Sequence, residues 1–135
     1  RTPEEKMGML FWRIHRCARI IFSLNYQLGN WTPQECIDML VNEVGHEYAN
    51  AEAEVRRSFA TSYTPPLYQL AYMIGGLQFY ALRGELLENG WTEKQFHDRV
   101  MKENTMPVAI LRLLLKDQEI PENYGAQWRF STDFK

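Results

Sequence analysis

The stretch "VNEVGHEYANAEAEVRRSF", residues 41 to 59, sets His46 beside Glu47, with Asn50 one helical turn further on. Metallopeptidase chemistry is the first candidate such an order raises. A zinc-peptidase helix carries histidines at i and i+4, so that both face the ion, and a glutamate at i+1 as general base. Here the i+4 residue is Asn50, a neutral amide and a poor zinc ligand. Glu54 continues that face, but eight helical residues span about 12 Å, more than one coordination sphere. The expectation is therefore no metal ligand set in this chain. His46 should lie at a helix junction, with Glu47, Glu52 and Glu54 facing solvent or pairing with Arg56 and Arg57.

The other histidines have no stronger context. His15 sits between Arg13 and Arg16, and His97 precedes Asp98 in "QFHDRV". That His-Asp pair reads as structural, since no nucleophile stands in a triad-like setting and no glycine-rich phosphate loop is present. A different pattern carries more chemistry. Tyr68, Tyr72, Gly76, Phe79 and Arg83 follow steps of four, four, three and four, so they share one helical face. Leu70, Ile74, Leu77 and Ala81 take the opposite one. The aromatic strip either lines a cleft or belongs to a core helix whose tyrosine hydroxyls reach the edge and whose arginine snorkels.

The elements that must position these residues are helices. Thr2, Thr32 and Thr92 each stand three residues before Glu5, Glu35 and Gln95, the spacing of a capping box. Pro3 and Pro33 occupy first helical positions, and Trp91 and Phe96 are spaced as a hydrophobic staple. From Glu4 to about Gln27, Met7, Leu10, Phe11, Ile14, Ala18, Ile21 and Leu24 recur at three- and four-residue steps and predict the core face of a long helix, closed by Gly29. Helices follow over 33–44, from Gly45 to about Phe59, over 93–103 and over 107–116. Between them, beyond a "TSYTPP" loop, the apolar run at about 66–88 predicts a buried central helix. No segment alternates with period two. The fold class is all-α, a bundle of about five to six helices. Residues 1–116 form the helical domain. The irregular tail 117–135 is expected to dock on it through Trp128, Phe130 and Phe134.

Composition is consistent with such a domain. The chain has 135 residues, 45% hydrophobic and 24% charged, enough for one core. A net charge of -2, with basic and acidic residues interspersed, gives no field for nucleic acid or an anionic membrane. No apolar run approaches the roughly 20 residues of a membrane span. Cys17 and Cys36 both fall in apolar helical positions and are expected to be buried free thiols. The chain opens "RTPEEK" without an initiator methionine, as a mature form or a fragment would.

Taken in order, "RCARIIFSLNYQLGNWTPQECIDML", "EVRR" and "PPLYQLAYMIGGLQFYALRGELLENGWTEKQFHDRVMKENTMPVAIL" resemble the C-terminal part of the bacterial domain-of-unknown-function family 885 (DUF885), whose members resemble gluzincin-type zinc peptidases. The resemblance runs over roughly residues 8 to 115. It rests on Arg19, Trp31, Glu54-Val55, Arg57, Pro66, Tyr72, Gly75, Leu82-Arg83, Phe96-His97-Asp98 and Pro107. Where the family pattern reads Asp-x-Gly-x-His, this chain has Ser23, Asn25 and Gln27. Where it reads Pro-Gly-Gln, the chain has Pro66-Leu67-Tyr68, and the Tyr after the motif arginine is Ser58.

The resemblance implies the helical C-terminal portion of a longer, zinc-dependent peptidase, with the metal-binding His-Glu motif upstream and the catalytic part of the same polypeptide as partner. This portion would wall the substrate cleft without being catalytic alone. Tyr72 would donate to a carbonyl or oxyanion, and Tyr68, Arg83, Gln27, Arg19 and Arg57 would bind a peptide substrate. Gln27 could donate a hydrogen bond but never a proton. The other class of reading is a non-catalytic peptide- or protein-binding module, or an inactive relative. A face stripped of its partner would self-associate, and an upstream signal would send the protein to the periplasm or outside the cell.

Overall fold

Three threonines set the helix starts. In a computed structural model that describes residues 2–59 and 65–131, Thr2, Thr32 and Thr92 each accept a hydrogen bond from the backbone N–H three residues on. Glu5, Glu35 and Gln95 return the bond to the threonine N–H at 2.9, 2.7 and 2.8 Å. Among the described residues there are six α-helices: α1 (Pro3–Gln27), α2 (Pro33–Asn42), α3 (Tyr48–Phe59), α4 (Ala71–Glu88), α5 (Glu93–Lys102) and α6 (Val108–Leu115). No strand occurs among the described residues. The fold is all-α.

The helix ends are equally local. Gly29 at φ 73° and Gly90 at φ 87° take the left-handed conformation that a β-carbon disfavours. Each closes its helix with a paired reverse bond: Gly29 N–H to Tyr26 O with Asn30 N–H to Asn25 O, and Gly90 N–H to Leu87 O with Trp91 N–H to Leu86 O. The second closure delivers Trp91 to the staple, where Phe96 is buried. The apolar run expected at 66–88 begins later than its hydropathy suggests. A 3-10 turn, Tyr68–Leu70, precedes α4, because Leu67 at φ 64° breaks the helical path.

The chain divides into two compact units, residues 1–73 and 74–135, and α4 runs from the first into the second. The first unit packs Ala18 and Phe22 of α1 with Cys36, Ile37 and Leu40 of α2 and Ala51 and Val55 of α3. The second packs Leu82 and Leu86 of α4 with Phe96 of α5 and Leu111 and Leu115 of α6. The tail joins the second unit through polar groups: the Tyr124 hydroxyl donates to Ala109 O, Ser131 N–H to Leu77 O, and Arg129 pairs with Glu85. Trp128 and Phe130 stay exposed, and Phe134 lies outside the described residues, as do positions 60–64 of the expected loop. Glu85 also meets Arg112 at 3.2 Å and Lys116 at 3.1 Å. Burial raises its pKa, but the three cations outweigh that and hold the carboxyl below its ordinary value.

Several expectations need correction. The stripe through Met7, Leu10, Ile14, Ile21 and Leu24 is exposed, and α1 instead buries His15, Ala18, Arg19, Phe22 and Ser23. Periodicity finds an apolar stripe but cannot say what covers it. Cys17 lies on that outer side and is exposed, whereas Cys36 is buried with its thiol raised to about 11 by burial. Nor is α4 buried all round: Tyr72, Phe79 and Tyr80 are exposed, and Gln78, Leu82 and Leu86 are its buried residues.

Candidate functional site

The buried side of α1 is polar because α3 supplies a matching charge. Glu54 sits in the middle of α3 and is 8% exposed; of the two expectations for it, solvent or a pair with a nearby arginine, the structure shows the pair. Its Oε2 accepts from Arg57 Nε at 2.7 Å, and its Oε1 lies 3.3 Å from Arg19 Nε. Two guanidiniums against one carboxylate leave one net positive charge. Arg19 is the deeper partner. Burial lowers its pKa and Glu54 opposes that. The 3.3 Å approach is Coulombic rather than an aligned hydrogen bond, so Arg19 Nε and Glu54 Oε1 have no hydrogen-bond partner among the described residues.

Next along α1, His15 is 5% exposed. Its Nδ1 lies 2.9 Å from Nε2 of His46, and its Nε2 lies 3.9 Å from Glu54 Oε1. The His–His hydrogen bond requires one of the two facing nitrogens to be unprotonated. Burial pushes the His15 pKa down; Glu54 opposes this, and His46, Arg19 and Arg57 add to it. His46 occupies the junction between α2 and α3, as its place after Gly45 suggested, so His46 and Asn50 do not share a helical face. Phe11, Trp12, His15, His46, Glu54 and Arg57 are among the residues around a cavity of about 540 Å³.

Tyr68 and Tyr72 border the same charge cluster. The Arg19 guanidinium lies over the Tyr72 ring, 4.9 Å from its centroid, and the two tyrosine hydroxyls are 2.5 Å apart. That hydrogen bond to Tyr72 is the main reason the Tyr68 pKa is raised. The chain reaches this point through a buried tie: Ser58 donates to Glu54 O at 2.7 Å, and Gln69 donates to Ser58 Oγ at 2.9 Å. Gln69 thereby fixes the 3-10 turn on the end of α3 and sets Tyr68 and Tyr72 beside Arg19. Leu67, just before this turn, holds the left-handed conformation at φ 64°.

Of the residues singled out in the sequence, Arg19, Arg57, Tyr68 and Tyr72 come together. Gln27 does not join them: it is exposed at the end of α1, eight residues or about 12 Å from Arg19 along the axis. Ser23 is buried with its hydroxyl unmatched among the described residues, and Asn25 holds the turn after α1 by bonding Ile21 O and Asn30. Arg83 belongs to the second unit, where it pairs with Glu93 and lies 6.0 Å from the Tyr80 ring centroid. His97 Nδ1 bonds Glu93 O at 2.7 Å, and Asp98 pairs with Lys94. Sequence reasoning missed His15 as a partner of His46 and Gln69 as the tie. Contacts across 31 and 11 residues leave no local signal.

Zinc does not fit the histidines present. His15 turns one ring nitrogen to His46 and the other to Glu54, so these three groups do not converge on one point. No group of three His, Cys, Asp or Glu among the described residues could hold a metal ion. Among the described residues no helix is long and apolar enough to cross a membrane.

No curated protein and no solved structure matches the chain. Residues 1–115 match the family described as "Bacterial protein of unknown function (DUF885)", and the chain belongs to that family.

Proposed function

We propose that the chain is the helical wall of a ligand cleft in a DUF885 protein, and that its first unit binds an extended peptide. The convergence of Arg19, Glu54, Arg57, Tyr68 and Tyr72 carries this reading. Arg57, with its side chain 55% exposed, is the cation a ligand meets first. It would take a free carboxylate by a charge-assisted hydrogen bond, with Glu54 holding it in place. Tyr72, half exposed, would donate to a peptide carbonyl while Arg19 stacks beneath its ring. In this reading the metal-dependent peptidase chemistry that the resemblance implies belongs to residues outside this chain, and Tyr72 serves that chemistry as a hydrogen-bond donor.

A second reading, a binding module without catalysis, draws on one observation. Gln27, where the resemblance places the motif histidine, is exposed at the end of α1 and cannot pass a proton.

Calorimetric titration with short peptides tests the first reading. Peptides with a free C-terminal carboxylate should bind, and Arg57→Ala should weaken them about tenfold, as for one lost charge-assisted bond. Amidated peptides should be indifferent to that change. Equal binding of free and amidated peptides by the parent and by Arg57→Ala would overturn the proposal. In the longer protein, Tyr72→Phe should keep the fold and reduce turnover if the hydroxyl meets the reacting carbonyl. A longer protein that binds peptides through Tyr72 but turns none over would favour the binding module.

A further inference from the structure

The side of α1 turned away from the core carries a second, independent pattern. Met7, Leu10, Ile14, Cys17, Ile21 and Leu24 follow alternating steps of three and four, and Leu28 completes three heptads. All are exposed, from 37% at Leu24 to 73% at Met7. The buried residues His15, Ala18 and Phe22 lie on the other side of the same helix. The helix therefore has two working faces, and its own unit uses one.

We infer that this seam pairs with α1 of a second copy in a two-stranded parallel coiled coil. The residue types select that occupant. Ile14 and Ile21 fall at a positions and Leu10 and Leu24 at d, the distribution that favours two parallel strands over three or four. The flanks agree. In parallel register no like charges oppose one another: Lys6 and Arg13 fall at g positions, and the corresponding e residues, Phe11 and Ala18, are uncharged. The repeat covers 21 residues, about 32 Å of helix.

Area sets the strength. The seam side chains are already partly covered, so pairing removes on the order of several hundred Å² from water, at the low end of interface sizes. The dimer should form at micromolar rather than nanomolar concentrations.

Sedimentation velocity on the whole 135-residue chain over rising concentration should show reversible dimerisation. Ile14→Asp with Ile21→Asp should abolish it while leaving the helical circular dichroism unchanged. Trp12→Asp, an exposed change off the seam, should not affect it. A short bismaleimide should link Cys17 to Cys17. In a Cys17→Ser background, Leu10→Cys should link to itself, which requires parallel register. A chain that stays monomeric with Cys17 freely reactive overturns the inference, as does a dimer indifferent to the two aspartates. A longer monomeric protein in which Cys17 is shielded would also overturn it, by assigning the seam to a segment of the same polypeptide.

Discussion

Arg19 Nε lies 3.3 Å from Glu54 Oε1, and each of these side chains is 10% exposed. A buried carboxylate that serves two guanidiniums contributes little net stability when intact, yet its removal strands a charge out of water. Glu54→Ala should therefore destabilise the first unit by about 3 to 5 kcal/mol. Arg57→Ala removes the exposed partner of the same carboxylate and should cost less than about 1 kcal/mol. Urea unfolding of the two variants measures the contrast. Equal losses would mean that Arg19 is not held by Glu54.

In the second unit the hydrophobic staple concentrates stability on one ring. Phe96 is 4% exposed and packs in a cluster with Leu82, Leu86, Leu111 and Leu115, with Trp91 against it. Phe96→Ala should cost about 3 to 5 kcal/mol in denaturant melts. A loss well under 1 kcal/mol would show that neighbouring side chains collapse into the space.

Helix boundaries were legible because their causes are local. A threonine, a glutamate three residues on and a glycine beyond the last turn act within one turn of helix, so Thr32-Glu35 and Gly29 could be read directly. The buried face of α1 was not legible for the opposite reason. Its charged and imidazole side chains meet partners from far along the chain, Arg19 at Glu54 and His15 at His46. Without those partners Arg19 and His15 read as surface, and the apolar seam through Ile14 and Ile21 reads as core. The site was half legible: Arg19, Arg57 and Tyr72 stood out through motif spacing. Glu54 was recognised in the motif and its pairing with Arg57 was among the expectations, but its burial was not legible, because that depends on Arg19 reaching it from far along the chain.

Leu67 offers a test of local strain. At φ 64° its β-carbon crowds the backbone, a conformation that costs about 1 to 2 kcal/mol for a residue with a side chain. Glycine would relieve this but adds roughly 0.4 to 1 kcal/mol of unfolded-chain entropy. Leu67 is 40% exposed, so glycine also forfeits roughly 1 to 2 kcal/mol of apolar burial. Leu67→Gly should thus be no more stable than the parent but clearly more stable than the sum of the lost burial and added chain entropy allows, because the strain is relieved. Leu67→Ala, which keeps the β-carbon, should give no gain. A glycine variant that loses the full sum would show that no strain is relieved.

His15 should make the first unit acid-sensitive before its carboxylates do. The groups facing its ring are His46, Glu54, Arg19 and Arg57, and the net direction of its pKa is down from 6.5, led by burial. The unfolded chain therefore takes up this proton more readily than the folded one. The stability from neutral His15 is fully present above pH 6.5 and is lost as the pH falls through the lower folded value. Two measurements check this. The His15 ring resonance should titrate with a midpoint below 6.5. Urea stability should also fall more steeply on acidification in the parent than in His15→Gln, which cannot take the proton. A midpoint above 6.5 would mean that Glu54 outweighs burial. Protonation would then tighten the contact between α1 and α3, and the pH dependence would run the other way.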